Sequence, residues 1–286
     1  MVAATIRRSP ARLAHSLDRV TDYSAELSFA RDLVRLGGRI ALAHFRRSPE
    51  ARLKADGTWV TEADWAVEAQ VRLRIARSYP GHNVLGEEEG LTAAGGGAAL
   101  PGAPTWVIDP IDGTNNYIAG IPIWATLVGF RVGDESVVGV CHAPALGETY
   151  DAAVGSGARC NDRPIAVDPV TELNQATVFS AGLEAFLDSG MAEFYSALVE
   201  RARRSRGFGD FWGHVLVARG AGHIMIEPEL NLWDVAALQP IVTEAGGRIT
   251  GLDGDPWTSG PCVTGSDPVH GHVLELARTL TPLADR

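Results

Sequence analysis

Residues 106–117 are Trp-Val-Ile-Asp-Pro-Ile-Asp-Gly-Thr-Asn-Asn-Tyr, an apolar run that leads into two aspartates and a Gly-Thr pair. The apolar residues 106–108 predict a buried strand. Pro110 fixes its own φ and biases Asp109 away from the helical region, so we expect the strand to end at Asp109. Asp112 and the Gly-Thr pair predict the start of a helix, where free N–H groups attract an anion.

Two carboxylates, Asp109 and Asp112, therefore stand next to amides that favour an anion. A cation satisfies both groups, and Mg²⁺ bridging protein oxygens to a phosphate is the obvious candidate. The alternative is a plain turn in which Asp112 only caps the next helix. Haloacid-dehalogenase-type phosphatases carry Asp-x-Asp after a strand, whereas the spacing here is Asp-x-x-Asp. That difference disfavours an aspartyl-phosphate mechanism.

Length and charge narrow the class of protein. A chain of 286 residues accommodates one large domain or two closely packed ones. The net charge of −10 argues against nucleic acid as the partner, and no apolar run is long enough to span a membrane. Three scattered cysteines without Cys-x-x-Cys spacing disfavour a disulfide framework and a thiolate zinc site, and they favour a cytoplasmic location.

The distribution of apolar residues predicts strands and helices along most of the chain. Strands are predicted at 84–85, 106–108, 125–132, 136–142, 148–154, 178–181, 223–227, 248–250 and 262–265. Helices are predicted at 23–46, 61–77, 190–203, 211–220 and 233–245, and a final helix is predicted to end at about residue 280. Residues 90–104, rich in Gly and Ala, are expected to form a loop, and Pro240 is expected to kink its helix.

These patterns divide the chain into three parts. Residues 1–22, with four arginines and few acids, predict a disordered extension or an upstream start codon rather than a transit peptide. Residues 23–165 form an N-terminal α+β part, in which the strands between 125 and 154 predict an antiparallel sheet. Residues 166–286 form a C-terminal α/β part, where strands and helices alternate.

Three further acids lie at the ends of predicted elements. Asp64 begins a helix, Glu87 follows a short strand, and Asp234 begins the helix after Trp233. Side chains at such positions are held by rigid backbone yet face a cleft, which suits a metal site. Each also has a simpler explanation: a capping box with Thr61, a solvated run of acids, or a complement to a helix dipole.

The chain resembles the inositol monophosphatase family, a set of Mg²⁺-dependent, lithium-sensitive phosphatases, over roughly residues 25–280. This resemblance implies an α+β fold, a layered αβαβα sandwich in which two mixed or antiparallel sheets lie between helices. It is carried by four segments: Asp109–Thr114 after the apolar run, Trp233–Ala237 followed by Ile241–Gly247, Gly86–Glu88, and Val60–Asp64.

The resemblance also implies a set of metal ligands for two or three Mg²⁺ ions. Glu87, Asp109 and the backbone carbonyl of Ile111 would hold the first ion. Asp109, Asp112 and Asp234 would hold the second, with a looser third ion beside Glu87. Two such ions polarise a phosphate and lower the pKa of an attacking water.

Catalytic and phosphate-binding roles follow from the same resemblance. Thr114, hydrogen-bonded to Asp64, would orient and help deprotonate the attacking water. The resemblance implies that Glu87 is also a catalytic residue. The N–H groups of Gly113 and Thr114 would bind the phosphate oxygens. Water would attack the phosphorus directly, without a covalent enzyme intermediate.

The stretches 207–214 and 227–234 are similar to the histidinol-phosphate phosphatase branch of this family. The similarity implies hydrolysis of L-histidinol phosphate, a small-molecule phosphate ester, in histidine biosynthesis. Asp210 and Glu227 would take the cationic and N–H groups of this substrate, and Trp212 and Trp233 would flank its imidazole ring. His214 stands where the branch often has an aromatic residue, so recognition of the alcohol is expected to differ there.

Several alternatives remain open from the sequence. Asp210 is equally explained as a helix N-cap, the tryptophans as core residues, and His214 as a satisfied polar residue on a helix. An inositol-1-phosphate or related cyclitol- or sugar-phosphate phosphatase is the alternative function. A non-catalytic scaffold is a third, disfavoured because every catalytic position is occupied. Family members are usually dimers, so we expect a homodimer.

Overall fold

The structure, a computed structural model, describes residues 21–47, 50–55 and 57–280. The extension expected over residues 1–22 lies, apart from its last two residues, outside this range. None of the helices in the described part of the chain is long and apolar enough to cross a membrane.

Helices and strands alternate through the described chain. The helices are α1 Ser24–His44, α2 Glu62–Ser78, α3 Thr114–Ile118, α4 Leu183–Asp188, α5 Ala192–Arg201, α6 Asp210–Ala218, α7 Leu232–Val235, α8 Leu238–Glu244 and α9 Val269–Leu280. The strands are β1 Ala51–Leu53, β2 Trp59–Thr61, β3 Asn83–Gly86, β4 Gly90–Ala93, β5 Thr105–Asp112, β6 Ala125–Val132, β7 Glu135–Ala143, β8 Glu148–Ala153, β9 Arg159–Cys160, β10 Arg163–Pro164, β11 Thr177–Ser180, β12 Arg204–Arg206, β13 Ile224–Glu227, β14 Arg248–Gly251 and β15 Cys262–Gly265.

Two sheets and three helical layers are stacked. The larger sheet has the strand order β10-β9-β8-β7-β6-β5-β3-β4 and is antiparallel except between β3 and β5. The smaller sheet has the order β12-β11-β13-β15-β14, with β11 parallel to both of its neighbours. Helices α1 and α2 cover the outer face of the larger sheet, α6 and α8 lie between the sheets, and α9 packs on the smaller one. The expected αβαβα sandwich is therefore confirmed.

Large apolar side chains fill the space between α1, α2 and the larger sheet. Trp106, Tyr117 and Trp124 are completely buried there. Burying one such ring contributes about 1.5–3 kcal/mol. Two of their three polar atoms are paired, since Trp106 Nε1 donates to His82 Nδ1 at 3.2 Å and the Tyr117 hydroxyl donates to Ala41 O at 2.7 Å, whereas Trp124 Nε1 has no partner among the described residues. This layer anchors β5, the strand that carries Asp109 and Asp112.

A glycine notch lets the C-terminal part approach the larger sheet closely. Gly129 on β6 and Gly139 on β7 are paired neighbours on adjacent strands. The corner between α7 and α8, residues Ala236 and Ala237, packs directly on them. A methyl group at Gly129 would lie 2.9 Å from the Ala236 carbonyl carbon, and one at Gly139 would overlap the carbonyl oxygen of Ala237. The two glycines thus set the distance between the sheet and α7, the helix that carries Asp234.

The predicted end of the strand at Asp109 is wrong. Strand β5 continues to Asp112, and its pairing with β6 is irregular between Asp109 and Asp112. Pro110 lies inside this irregularity, where its missing N–H removes no regular ladder bond. Thr126 Oγ1 donates to Pro110 O at 2.9 Å and holds the distorted segment to β6. The bulge re-aims the backbone so that both aspartates reach the same cavity.

Two further expectations differ from the structure. Residues 90–93 do not belong to a loop, because β4 pairs antiparallel with β3 at the edge of the larger sheet. The helix expected over 233–245 is interrupted at Ala236 and Ala237 rather than kinked at Pro240. Pro240 lies in the first turn of α8, where a missing N–H costs little. The two residues at the interruption, Ala236 and Ala237, are those that pack on the glycine notch.

Candidate metal and phosphate site

Acidic side chains from both parts of the chain line one cavity of about 310 Å³. The cavity lies where β5 passes into α3, opposite the first turns of α6 and α7. Five carboxylates line it, from Glu87, Asp109, Asp112, Asp210 and Asp234. So many acids in one cleft repel each other unless a cation is shared among them.

Asp109 and Asp112 lie at the carboxyl end of β5 and are almost completely buried. Burial first, and then the charges of Glu87 and Asp112, raise the pKa of Asp109 well above its ordinary value. Burial, followed by the charges of Asp210 and Asp234, does the same to the pKa of Asp112. Asp112 Oδ2 accepts the backbone N–H of Phe211 at 2.7 Å, whereas Asp109 Oδ1 has no hydrogen-bond partner among the described residues.

Asp234 reaches the cavity from the N-terminus of α7. Its Oδ2 accepts the backbone N–H of Asn231 at 2.6 Å, as the third residue of a capping box. Burial raises the pKa of Asp234 to about 7, and the charges of Glu87 and Asp210 act in the same direction. The cap fixes the side-chain rotamer, so this carboxylate is aimed before any ligand arrives.

Asp64 takes part in a second capping box, at the start of α2. Its Oδ2 accepts both the backbone N–H of Thr61, at 2.8 Å, and the Thr61 hydroxyl, at 2.6 Å. Burial raises the pKa of Asp64 to about 7, although the hydrogen bonds from Thr61 act against it. The implied hydrogen bond between Thr114 and Asp64 is not formed, because Thr114 Oγ1 donates to Ile111 O at 2.9 Å.

A lysine that sequence reasoning missed holds Glu87 in place. Lys54 Nζ lies 2.8 Å from Glu87 Oε1 and 2.8 Å from Glu88 Oε1. Burial alone would lower the pKa of this ammonium, but the bonds and charges of the two glutamates outweigh burial and raise it. Lys54 lies in the turn between β1 and β2, and no local pattern links that turn to residues 87 and 88.

The donor set fits a hard divalent cation. Carboxylate and carbonyl oxygens are the ligands that Mg²⁺ takes, and buried Oδ1 atoms of Asp64 and Asp109 lack partners among the described residues. Within that same part of the chain, no three Asp, Glu, His or Cys side chains already form a chelating group. The cavity carboxylates do not converge because they have other partners: Glu87 is turned to Lys54, and Asp112 is turned to the Phe211 N–H.

The segment after Asp112 offers backbone donors to an anion. Gly113 has φ of +83° and precedes the five-residue helix α3, whose first residue is Thr114. A side chain at Gly113 would be strained and would also approach Ile123 O to 3.0 Å. Gly113 and Thr114 both line the cavity beside the carboxylates. Backbone N–H groups at the start of a helix attract phosphate oxygens.

The sequence model of the inositol monophosphatase family matches residues 22–279. The chain belongs to this family. Its members are generally metal-dependent phosphatases.

Individual relatives cover most of the chain. It is 40% identical to a histidinol-phosphatase of Mycobacterium tuberculosis over 77% of this chain and 85% of that protein. It is 36% identical to a histidinol-phosphatase of Streptomyces coelicolor over 88% of this chain and 97% of that protein. The solved structure of the Thermotoga maritima IMPase superposes with a TM-score of 0.80 at 28% identity, over 90% of this chain and 98% of that one.

Among the residues expected to contact the alcohol, the structure places two, Asp210 and Trp233, in the wall of the cavity. Asp210 lines it, and Asn116 Nδ2 donates to Asp210 Oδ2 at 3.3 Å. Asp210 has φ of +56°, a left-handed conformation that costs a non-glycine residue energy. Its backbone N–H donates to Glu227 Oε1 at 3.0 Å, so Glu227 lies behind Asp210 and stabilises this turn.

Trp212 and His214 do not line the cavity. Trp212 packs against Phe208, with ring centroids 4.7 Å apart. His214 is buried in α6 and its Nδ1 pairs with Thr264 Oγ1 at 2.8 Å, while burial lowers its pKa to about 3. Trp233, considered at the sequence level for the substrate ring, does line the cavity, together with the asparagines 116 and 231.

Proposed function

We propose that this protein is a Mg²⁺-dependent phosphate monoesterase that hydrolyses L-histidinol phosphate to L-histidinol and phosphate, a step of histidine biosynthesis. The observation that carries the proposal is the cavity that gathers Glu87, Asp109, Asp112 and Asp234 beside the backbone amides of Gly113 and Thr114. Such a cavity suits a phosphate that is bound through cations. The two relatives named histidinol-phosphatase support the choice of ester.

The ligands fall into two groups that share Asp109. Glu87, Asp109 and the carbonyl oxygen of Ile111 would hold one Mg²⁺. Asp109, Asp112 and Asp234 would hold a second, and a looser third ion would lie beside Glu87. When bound, Mg²⁺ would polarise the phosphate and lower the pKa of the water that attacks it.

The chain's own residues orient the ester and move the proton. The N–H groups of Gly113 and Thr114 bind two phosphate oxygens and leave the phosphorus open to water. Asp64, a carboxylate whose pKa burial raises, would take the proton of the attacking water. Thr114 would carry this proton to Asp64 after its hydroxyl turns from Ile111 O to Asp64 Oδ1, an atom without a partner among the described residues. Water then displaces the alkoxide directly, and the alkoxide leaves as the alcohol after taking up a proton.

Asp210 is the residue proposed to recognise the alcohol. Histidinol phosphate carries an ammonium group and an imidazole, and a carboxylate in the cavity wall pairs well with either in its cationic form. Trp233 supplies an aromatic face beside it. Glu227 contributes by holding the Asp210 backbone, and Trp212 and His214 contribute by packing α6 in place.

A second candidate substrate is inositol 1-phosphate or a related cyclitol or sugar phosphate. The same cavity wall carries the neutral amides of Asn116 and Asn231, which suit hydroxyl groups. The carboxylates and amides around the phosphate serve any monoester equally. The choice therefore depends on the alcohol alone.

We expect the enzyme to be a cytoplasmic homodimer, as the family resemblance and the cysteine content indicate. Sedimentation equilibrium of the purified chain would test the dimer. A monomer at micromolar concentration would contradict it.

The test of function is phosphate release with Mg²⁺ from histidinol phosphate, inositol 1-phosphate and p-nitrophenyl phosphate, compared by kcat/KM. We expect histidinol phosphate to be preferred by several orders of magnitude. The Asp109→Asn variant is the control, since it should abolish release from all three esters. A profile that favours inositol 1-phosphate would move the function to the second candidate, and no Mg²⁺-dependent release from any ester would overturn the proposal.

A further inference from the structure

Glu68 is a buried carboxylate on α2, one helical turn after Asp64 and outside the cavity. Its Oε2 accepts the backbone N–H of Glu88 at 2.8 Å. Its Oε1 accepts the backbone N–H of Glu89 at 3.0 Å and the Nε–H of Arg72 at 2.7 Å. The carboxylate thus joins α2 to the turn that follows Glu87.

Arg72 holds the same turn from its other side. Its Nη2 donates to Gly90 O at 2.5 Å, and its Nη1 donates to Thr92 Oγ1 at 3.0 Å. Side chains 68 and 72 are four residues apart on one face of the helix and form an ion pair. Charge-assisted hydrogen bonds in a buried setting are among the stronger ones. The turn from 88 to 92 is therefore fixed to α2 at several points.

The strand before Glu87 is shaped to admit the Glu68 carboxylate. A methyl group at Gly86 would overlap both the Oε atoms and the Cδ of Glu68. Glycine at this position lets the carboxylate pass beneath β3 and reach the amides beyond Glu87. The positions of the backbone before and after Glu87 thus both depend on Glu68.

We propose that Glu68, held by Arg72, is a positioning residue that fixes Glu87 at the place where it ligates a cation. The inference rests on the proposed function, in which Glu87 is a ligand. Helix α2 carries both Asp64 and Glu68, so a single rigid element sets where the proton acceptor and the Glu87 ligand lie relative to each other. Groups that orient ligands without touching the metal typically change metal affinity 10- to 100-fold when they are altered.

Glu68→Gln tests the proposal with almost no change in shape. The N–H of Glu88 faces Oε2, and both the N–H of Glu89 and Arg72 face Oε1, so either flip of the amide leaves a donor against a donor. We expect the dissociation constant for Mn²⁺, measured by electron paramagnetic resonance, to rise about tenfold or more. The Mg²⁺ concentration that gives half-maximal phosphate release should rise in parallel, with kcat at saturating Mg²⁺ within about threefold of the parent.

Asp151→Asn is the matched control. Asp151 is also a buried carboxylate paired with an arginine, since Arg31 Nη2 lies 2.6 Å from Asp151 Oδ1, but it does not line the cavity. This variant should lose stability and bind Mn²⁺ within about twofold of the parent. Equal weakening in both variants would overturn the proposal, and so would a folded Glu68→Gln protein with parental affinity.

Arg72→Lys is a second variant that tests the proposal if Glu68→Gln does not fold. Lysine keeps the charge beside Glu68 but loses the forked hydrogen bonds to residues 90 and 92. We expect Mn²⁺ affinity to fall several-fold relative to Asp151→Asn, and parental affinity would overturn the proposal. Failure of the unaltered protein to bind Mn²⁺ would instead overturn the proposed metal site, so the two failures are distinguishable.

Discussion

The backbone N–H of Phe211 donates to the carboxylate of Asp112 across 2.7 Å. This bond joins the first turn of α6, which carries Asp210, to the end of β5. The positive end of the helix favours the charged carboxylate, yet burial and the charges of Asp210 and Asp234 still raise its pKa well above the ordinary value. The alcohol-facing wall and the proposed metal site therefore share one contact.

Asp112→Asn should separate activity from stability. The asparagine oxygen can still accept the Phe211 N–H, but one ligand charge is lost, so phosphate release should fall by at least about a hundredfold. The free energy of unfolding of the metal-free protein should rise, because one of several buried like charges is removed. A phosphate-release assay and urea denaturation in a chelator measure the two effects. Near-parental turnover would refute the assignment of Asp112.

Asp210→Asn should weaken recognition of the alcohol without straining the turn. Asparagine tolerates the left-handed φ of +56°, and the change removes only the charge. We expect KM for histidinol phosphate to rise about tenfold or more and KM for p-nitrophenyl phosphate to change little. Asp210→Gly, which also fits this φ, is the comparison. Equal effects on the two esters would show that Asp210 is structural.

His214 should make the protein less stable in acid. Its pKa is about 3 in the folded state against an ordinary value of 6.5, so between these values the unfolded chain binds the additional proton. The free energy of unfolding therefore falls as the pH drops below 6.5, by about 2 kcal/mol at pH 5 from this residue alone. His214→Asn should reduce that slope in urea titrations. Thr264→Val, which keeps the histidine, should lower stability and leave the slope, and an unchanged slope in His214→Asn would contradict the argument.

Mg²⁺ should stabilise the folded protein. A ligand that binds only the folded state adds about 2.7 kcal/mol at one hundred times its dissociation constant. The midpoint of thermal unfolding should therefore rise with Mg²⁺ concentration, and NaCl at matched ionic strength is the control. Asp109→Asn should lose this rise. A parallel rise in that variant would locate the stabilising cation elsewhere.

Gly139→Ala should disrupt the glycine notch. The added methyl group overlaps Ala237 O, and overpacking of this kind typically costs about 1–3 kcal/mol. Phosphate release should fall as well, because the corner that precedes α8 also places Asp234. Gly81→Ala is the control, since a methyl group there meets no atom within 4 Å. Parental stability and activity of Gly139→Ala would show that the corner moves freely.

Local chemistry predicted much of this molecule. The capping box at Thr61 and Asp64 was predicted from a three-residue spacing, and the structure forms it. The acids at element ends, such as Asp109 and Asp234, were expected to share a cleft and do line one cavity. The hydrogen bond between Thr114 and Asp64 is not formed, because the Thr114 hydroxyl donates instead to the carbonyl of Ile111, three residues earlier in the chain.

Local sequence patterns did not predict the features that depend on contacts between residues far apart in the sequence. Strand β4 depends on its pairing with β3, and the residues between α7 and α8 pack on two glycines of distant strands. Lys54 reaches Glu87 across 33 positions of sequence. His214 was considered for the substrate, but the face of α6 that carries it packs on β15 through Thr264. Periodicity alone does not reveal which side of a short, mostly apolar helix meets the core.

The glycine notch has a consequence for how this family could diversify. A side chain at Gly129 or Gly139 would lift the α7–α8 corner, and Asp234 with it, so these positions tolerate little change. The turn at Asp210 holds Asp112 through the backbone N–H of Phe211, not through a side chain. Mutation can therefore alter the wall that meets the alcohol while the spacing of the carboxylates stays constant. New substrates would be accessible to such a protein through side-chain changes in α6 that keep the Phe211 N–H in place, with the proposed chemistry at phosphorus unchanged.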